Sequence, residues 1–428
     1  MNNSPQLKVG FCAYDWPHNV SGPASWLGRL LPELPSLGID PFCIVLSWEQ
    51  SGPLVELLIK HNIPYVQHPC QPTSEERTEW ILEQLAEHPV DVFVPNHLVP
   101  AFYASKWVRS AYIPTIGILH SDDDFYQAVQ AQFVHRQSAF SLSSIVCVSE
   151  QLRTQVCSRP SHKCEVIQIP YGVPIPQFTA KYNTSHFRIA YVGRLAEEQK
   201  RISEVTTAFC RVTSQISNTE AVLFGEGPDK AKVETILKSK ANCGAVQLIG
   251  RIDPDRIQEE LQKCHAIVLL SDYEGLPISI IEAMACGVVP ICLSMRSGID
   301  ELLADGCGII VQDREKEFDD AIKRLVNSAD EWQQLSNSAR TKVRQEYSVE
   351  NNARQWAEML HKASANSAAK TKKLKWPRRL SLPKTHSAFL NQDPRAHRSP
   401  VLVKLYYRLR MLAGRARRLA ASAFKNGN

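Results

Sequence analysis

The chain has 428 residues, 44% of them hydrophobic and 22% charged, which suits a soluble globular protein of two or three domains with a substantial core. No run approaches the roughly 18 apolar residues that span a bilayer, and Met1-Asn2-Asn3-Ser4-Pro5 offers no charged segment followed by an apolar one, which excludes a secretory leader as an expectation. The net charge of +5 is unevenly held: residues 370–428 carry sixteen Lys or Arg and one acid, leaving 33 basic and 43 acidic residues in an acidic body.

Residues 7–14, 42–46, 91–94, 115–119, 144–148 and 165–169 read as strands, and 24–37, 53–61, 75–87 and 125–140 as helices. Such alternation predicts βαβ units and a parallel sheet. Pro170-Tyr171-Gly172-Val173-Pro174-Ile175-Pro176 has too many breakers for an element interior. The alternation restarts with strands over 187–192, 221–224, 246–249, 266–269, 288–292 and 308–311. One α/β domain is therefore expected over 1–178 and a second over 179–362. Residues 348–361 have a helical period. Residues 363–399, poor in apolar side chains, read as a basic linker. Over 400–424, Leu402, Leu405, Leu409, Leu412 and Leu419 recur at helical spacing opposite a field of Lys and Arg, which predicts a basic amphipathic helix.

Twelve cysteines without a CxxC pair lack the spacing of a zinc site or a disulfide framework. Cys12, Cys43, Cys147, Cys286 and Cys292 lie in apolar runs and read as small buried hydrophobes in a reducing compartment.

The most specific motif runs from Ser271 to Gly287: Ser-Asp-Tyr-Glu-Gly-Leu-Pro-Ile-Ser-Ile-Ile-Glu-Ala-Met-Ala-Cys-Gly. It follows the apolar strand at 266–269, with Pro277 expected as the first helical residue and Gly287 ending the helix. Backbone amides around Gly275, Leu276 and Pro277 then face the carboxyl end of a strand, where unpaired N–H groups and the helix dipole favour a phosphate. Glu274 lies in the loop, within reach of a sugar hydroxyl. Glu282 lies further along the helix, placed to accept from a ribose. The run Ile189-Ala190-Tyr191-Val192-Gly193-Arg194 to Lys200 is a strand, a glycine turn and two cations. Phe224-Gly225-Glu226-Gly227-Pro228 and Leu248-Ile249-Gly250-Arg251-Ile252 are further strand ends with glycine turns.

In these elements the sequence resembles the family 4 (group 1) glycosyltransferases over residues 7 to about 360, specifically in the second half and loosely in the first. The resemblance implies a GT-B fold of two Rossmann-like α/β domains facing across a cleft, the last helices packing back on the first domain. It implies a retaining, metal-independent transfer from a nucleotide-diphosphate sugar, with no cofactor. Arg194 and Lys200 would hold the diphosphate, Gly225, Gly227 and Arg251 would border the nucleotide, Gly275, Leu276 and Glu282 would bind the donor, and Glu274 would act at the sugar. Arg201 stands where members usually have glycine. On the first domain, Gly22 in Ser21-Gly22-Pro23 takes the place of a usual Gly-Gly, and His120, at the end of the strand over 115–119, matches the active-site histidine. Asp122-Asp123-Asp124 contains Asp-x-Asp, which holds a metal in another glycosyltransferase fold; at a helix start it reads as a cap.

The expected acceptor is a glycan, a lipid-linked sugar or another hydroxyl compound, as in polysaccharide biosynthesis. The location is expected to be cytoplasmic and, through the tail, peripheral on an anionic inner membrane face. A sugar-nucleotide epimerase and a non-catalytic, membrane-associated binding protein are the alternatives. Nucleic acid is not expected, because the tail's leucine face suits lipid or a partner helix better.

Overall fold

The computed structural model describes residues 6–17, 21–47, 51–70, 72–159, 164–239, 243–367, 372–390 and 392–395. Two parallel sheets organise the chain. The first contains β1 (Leu7–Asp15), β2 (Ile39–Ser47), β3 (Tyr65–Pro69), β4 (Val92–Asn96), β5 (Thr115–Leu119), β6 (Ser144–Cys147) and β7 (Glu165–Gln168), in the order β3-β2-β1-β4-β5-β6-β7. The second contains β8 (Phe187–Val192), β9 (Thr219–Phe224), β10 (Val246–Gly250), β11 (Ala266–Leu269), β12 (Val289–Leu293) and β13 (Ile309–Val311), in the order β10-β9-β8-β11-β12-β13. Central strands such as β4, β5, β11 and β12 are buried at every residue, since helices cover both faces, so they read as largely apolar runs. In each sheet the strand order reverses beside the first strand, which opens a crevice at the carboxyl ends. The two-domain α/β architecture is the GT-B arrangement.

The helices of the first domain are α1 (Gly22–Leu30), α2 (Pro53–Lys60), α3 (Ser74–Glu87), α4 (Val99–Ser110), α5 (Asp124–Val129) and α6 (Glu150–Cys157). Those of the second are α7 (Ile202–Gln215), α8 (Lys230–Ser239), α9 (Ile257–Leu261), α10 (Ile278–Ala285), α11 (Ile299–Leu302), α12 (Lys316–Asn327), α13 (Ala329–Glu346) and α14 (Val349–Ala365). Side-chain caps start several of them, including the reciprocal Thr73–Glu76 box of α3 and Ser348 on α14. Two predicted helices are shorter than expected. The one over 24–37 ends as α1 at Leu30, because Pro35 and left-handed Gly38 make a separate 3-10 turn, Leu34–Leu37. The one over 125–140 becomes α5 followed by a π-turn, Gln130–His135, and the Ser141 hydroxyl then accepts from Ser138 N–H at 3.0 Å and donates to Ser138 O at 2.9 Å, closing a turn.

The breaker-rich segment 170–176 crosses between the sheets beside the start of α14: Val173 N–H donates to Tyr347 O at 2.8 Å and Val349 N–H to Val173 O at 3.1 Å. α14 then returns to the first domain, where Trp356 packs on Trp26 with ring centroids 5.1 Å apart.

The expectation of a linker over 363–399 is corrected. Residues 372–395 form a strap along the first domain. Lys372 N–H donates to Ala111 O at 2.9 Å, and Leu374, Trp376, Leu380 and Leu382 join the core between the first sheet and helices α3 and α4. Phe389 is fully buried against Phe125 and Phe133. The strap ends in a buried polar lock: Tyr103 Oη donates to Asp393 Oδ2 at 2.8 Å, and Arg395 Nη2 donates to Asp393 Oδ2 at 2.7 Å and to Tyr103 Oη at 2.8 Å. These anchors are too widely spaced to form a periodic pattern, so they resembled linker residues. The predicted amphipathic helix over 400–424 lies outside the described residues. No described helix is long and apolar enough to cross a membrane.

A second correction concerns the cysteines. Cys210 of α7 and Cys243, just before β10, form a disulfide, with their Cα atoms 4.7 Å apart. Their separation of 33 residues matches no sequence motif, and only the packing of α7 beside β10 brings them together.

Candidate active site

β11 emerges from the second sheet into the loop carrying Glu274, Gly275 and Leu276. Pro277 is the N-cap of α10, with ψ of 106°, and not its first helical residue as predicted; the helix starts one residue later, at Ile278. Ile280 and Ile281 donate back to Pro277 O, which leaves the amides of Ile278 and Ser279 outside the helical ladder. Gly287, left-handed at φ 76°, follows the end of the helix as expected.

Glu274 is buried. Its Oε1 accepts from Lys200 Nζ at 2.5 Å and its Oε2 from Gln199 Nε2 at 3.3 Å, while Gln199 also donates to Tyr273 O at 2.9 Å. The predicted pair Glu274 and Lys200 therefore meets, with Gln199 as a partner the sequence did not reveal. Arg201 adopts φ 50°, the left-handed conformation that glycine takes without strain, and caps α7. The turn is thus of the form glycine would make, although a side chain occupies it. That side chain points to Glu204 (3.0 Å) and Asp272 (3.4 Å), away from Lys200's partner.

Arg194 is exposed and has no ion pair or side-chain hydrogen bond among the described residues. Its charge still reaches the Glu274 neighbourhood. Burial pushes the Tyr191 phenol up from its ordinary range, Glu274 adds to the rise, and Arg194 opposes it. The glycine loop after β9 packs on the loop that holds Arg194. A Cβ at Gly225 would lie 1.9 Å from Gly193 O, and one at Gly227 2.3 Å from Leu195 O, so only glycine lets the two backbones approach. Arg251 is exposed just beyond β10.

Glu282 is also buried, and its Oε1 is ion-paired with Arg29 Nη2 of α1. Gly22 begins α1 next to the start of α10: a Cβ on it would lie 3.5 Å from Ile278 Cδ1. The two helix starts therefore face each other across the domain boundary.

His120 lies at the end of β5 and is buried. Its Nδ1 meets Tyr171 Oη at 2.7 Å and its Nε2 meets Asn96 Oδ1 at 2.9 Å. An amide oxygen only accepts, so Nε2 carries the proton and Nδ1 accepts from the tyrosine. Burial, with His97 adding, holds the ring well below its ordinary pKa, which keeps it neutral. The ring bonds within its own domain, and the main chain is what meets the second domain: a Cβ at Gly275 would lie 2.2 Å from His120 O.

Asp123 caps α5 through Tyr126 N–H at 3.1 Å, as the cap reading expects. Asp122 instead accepts from Gln155 Nε2 at 2.7 Å and pairs with Arg296 of the second domain at 2.6 Å. Among the described residues no cluster of three or more His, Cys, Asp or Glu forms a metal site. Arg29, Asn96, Tyr171 and Arg296 were not legible as site residues, since each meets its partner across a long sequence separation and sits in no motif.

Residues 177–342 match the family model for glycosyl transferases group 1. An uncharacterized glycosyltransferase of Methanocaldococcus jannaschii is 24% identical over 50% of this chain and 59% of its own length. The alpha-D-kanosaminyltransferase of Streptomyces kanamyceticus is 27% identical over 38% of this chain and 42% of its own. The chain thus spans about half the length of the curated relatives it matches. Among solved structures, Anabaena HepE in complex with UDP and glucose superposes with a TM-score of 0.69 at 17% identity, over 83% of this chain and all of that one. A glycosyltransferase from Rickettsia africae also reaches 0.69, at 16% identity, over 85% of this chain and all of that one.

Proposed function

We propose that this chain, whose residues 177–342 match the model for group 1 glycosyl transferases, moves a sugar from a nucleotide-diphosphate sugar to a hydroxyl acceptor with retention of configuration. The observation that carries the reading is the arrangement around Glu274. A buried carboxylate is tethered to Lys200, the Arg194 cation, unpaired among the described residues, lies nearby, and the start of α10 follows in the same loop. Arg194, Lys200 and the Ile278 and Ser279 amides would take the diphosphate, and Glu274 a sugar hydroxyl. As the anomeric carbon–oxygen bond breaks, its electrons pass to the leaving phosphate, whose growing charge the two cations stabilise. The acceptor oxygen bonds to the anomeric carbon on the same face and gives its proton to a phosphate oxygen. His120, neutral and fixed by Asn96 and Tyr171, would shape the acceptor side of the sugar site. Relatives including a poly(glycerol-phosphate) alpha-glucosyltransferase support a polyol or glycan acceptor.

Turnover is tested by following nucleoside diphosphate release from UDP-, GDP- and ADP-sugars with polyol, glycan and lipid acceptors. Acceptor-dependent release of the diphosphate is expected. Release without an acceptor, or isomerisation of the nucleotide sugar, would replace transfer by hydrolysis or epimerisation.

The same assay run in EDTA is expected to keep its rate, because positioned cations do the work of a metal. Complete loss on chelation, restored by Mn²⁺ or Mg²⁺, would overturn metal independence and return attention to Asp122 and Asp124.

The basic tail is proposed to dock on an anionic membrane surface. Each basic residue near such a surface contributes about 1 kcal/mol, and the leucines add interfacial burial. In liposome flotation the full chain should rise with anionic vesicles, less so as salt increases. A chain ending at Arg395, which keeps the strap, should stay at the bottom. Equal behaviour of the two chains would remove the tail from membrane binding.

A further inference from the structure

We propose that Arg29 is a nucleotide-binding residue contributed by the first domain, and that with Glu282 it forms a site for the vicinal diol of a ribose. The inference rests on the reading above, in which Glu282 accepts from the donor ribose; what is new is the partner from across the domain boundary.

Arg29 is the only charged residue in α1, Gly22–Leu30, whose neighbours Trp26, Leu27, Gly28 and Leu30 are buried. It does not turn to solvent. Its side chain is 19% exposed, and Nη2 is spent on Glu282 Oε1, whose own side chain is 9% exposed. The pair uses one nitrogen and one oxygen, where a guanidinium and a carboxylate are able to bond through two of each. Arg29 Nη1 is buried with no hydrogen-bond partner among the described residues. A buried N–H group without an acceptor is costly and rare in a folded protein. On the other side of the pair, Glu282 Oε2 takes no hydrogen bond from any described residue.

The groups left open thus include a donor on Arg29 and an acceptor on Glu282. A vicinal diol matches them: one hydroxyl donates to Glu282 Oε2, and the oxygen of the next accepts from Arg29 Nη1. A lone carboxylate offers only acceptors and leaves half of such a diol unread. The location agrees, because Gly22 and Ile278 bring the starts of α1 and α10 together and the Arg29–Glu282 pair lies further along both helices. Phosphates at the start of α10 and a ribose along it would follow one direction. Nucleotide binding would then require the two domains to be together, since each supplies half of the diol site.

The opposite role for the same pair is a latch, with Arg29 occupying Glu282 and excluding the ribose. The two roles predict opposite signs. Binding is measured by calorimetry on the full chain with UDP, GDP and ADP, then with the 2′-deoxy counterpart of whichever binds. Arg29→Met should weaken the ribonucleotide by about tenfold, the scale of one charge-assisted hydrogen bond in a buried site, and should bring the ribo and deoxyribo affinities together. Arg29→Lys keeps the ion pair with Glu282 but lacks the second guanidinium nitrogen, so it should also lose most of that discrimination. Tighter binding by Arg29→Met makes the pair a latch and overturns the proposal. So does an unchanged ribo-to-deoxyribo ratio in both variants. Arg194→Ala separates the two levels of inference. If the wild type binds none of the nucleotides, or Arg194→Ala binds as the wild type does, the donor reading itself fails. If Arg194→Ala weakens binding while both Arg29 variants bind normally, only the diol site fails.

Discussion

Replacing Arg194 by alanine is expected to lower kcat/KM with the productive nucleotide sugar by about 10²–10³, the loss typical of removing one positioned electrostatic group from a transition state. The expected size follows from how the two cations are held. Lys200 is already bound to Glu274, so part of its attraction is spent and would have to be shared with a donor. Arg194 is bound to nothing among the described residues, so under the proposed reading its charge would be complete for the diphosphate. Its loop is held independently of its side chain: Tyr191 Oη donates to Arg194 O at 2.8 Å, and Leu195 N–H donates to Glu226 O at 3.0 Å. Removing the guanidinium should therefore leave the fold and the melting temperature unchanged. Initial rates over a range of donor concentrations, with thermal melts as the control, check this. A folded Arg194→Ala with wild-type kcat/KM would take the diphosphate away from this residue.

The second large effect concerns stability. A chain ending at His361 is expected to melt far below the full chain or to aggregate, whereas one ending at Arg395 should melt with it. The shorter chain uncovers the pockets of Leu374 and Phe389, each a side chain whose burial is worth about 1.5–3 kcal/mol. It also removes Asp393 and Arg395 from Tyr103, leaving a buried hydroxyl without partners at a further cost of about 1–3 kcal/mol. Together these approach the whole margin of about 5–15 kcal/mol that keeps a domain folded. Phe389 rests on Phe125, which packs on His97 and Tyr126, and the Tyr126 ring meets His120 at 5.8 Å. Loss of the strap therefore reaches the acceptor side of the candidate site. Thermal melts of the three chains decide the matter, and equal midpoints would show that the strap is not part of the first domain.

Most of the second domain's candidate site was legible in the sequence because its elements are built from local structure. A strand, a glycine turn and a helix start lie consecutively in the chain, so Gly193-Arg194 and the run from Glu274 to Glu282 keep their spatial order as sequence order. The same holds for the sheets, whose strands are short apolar runs between helical periods. α4 was missed for a related reason: it is buried on nearly all sides, from Val99 through Val108, so it shows no contrast of faces. β3 is half-exposed at a sheet edge and carried little apolar signal. Pro277 was misplaced by one residue because proline is accepted both as a cap and as a first helical residue.

The amino-acid sequence by itself therefore determined two α/β halves, the Glu274–Glu282 and Arg194–Lys200 elements, and a basic tail beyond an acidic body, because each is a matter of period, composition or neighbours in the chain. Only the tertiary structure decided that Arg29 reaches Glu282, that Arg296 reaches Asp122, that Cys210 bonds Cys243, and that residues 372–395 belong to the first domain. These contacts join residues from 33 to more than 290 positions apart. Their formation depends on how sheets and helices stack in three dimensions, and no local spacing of residue types encodes that distance.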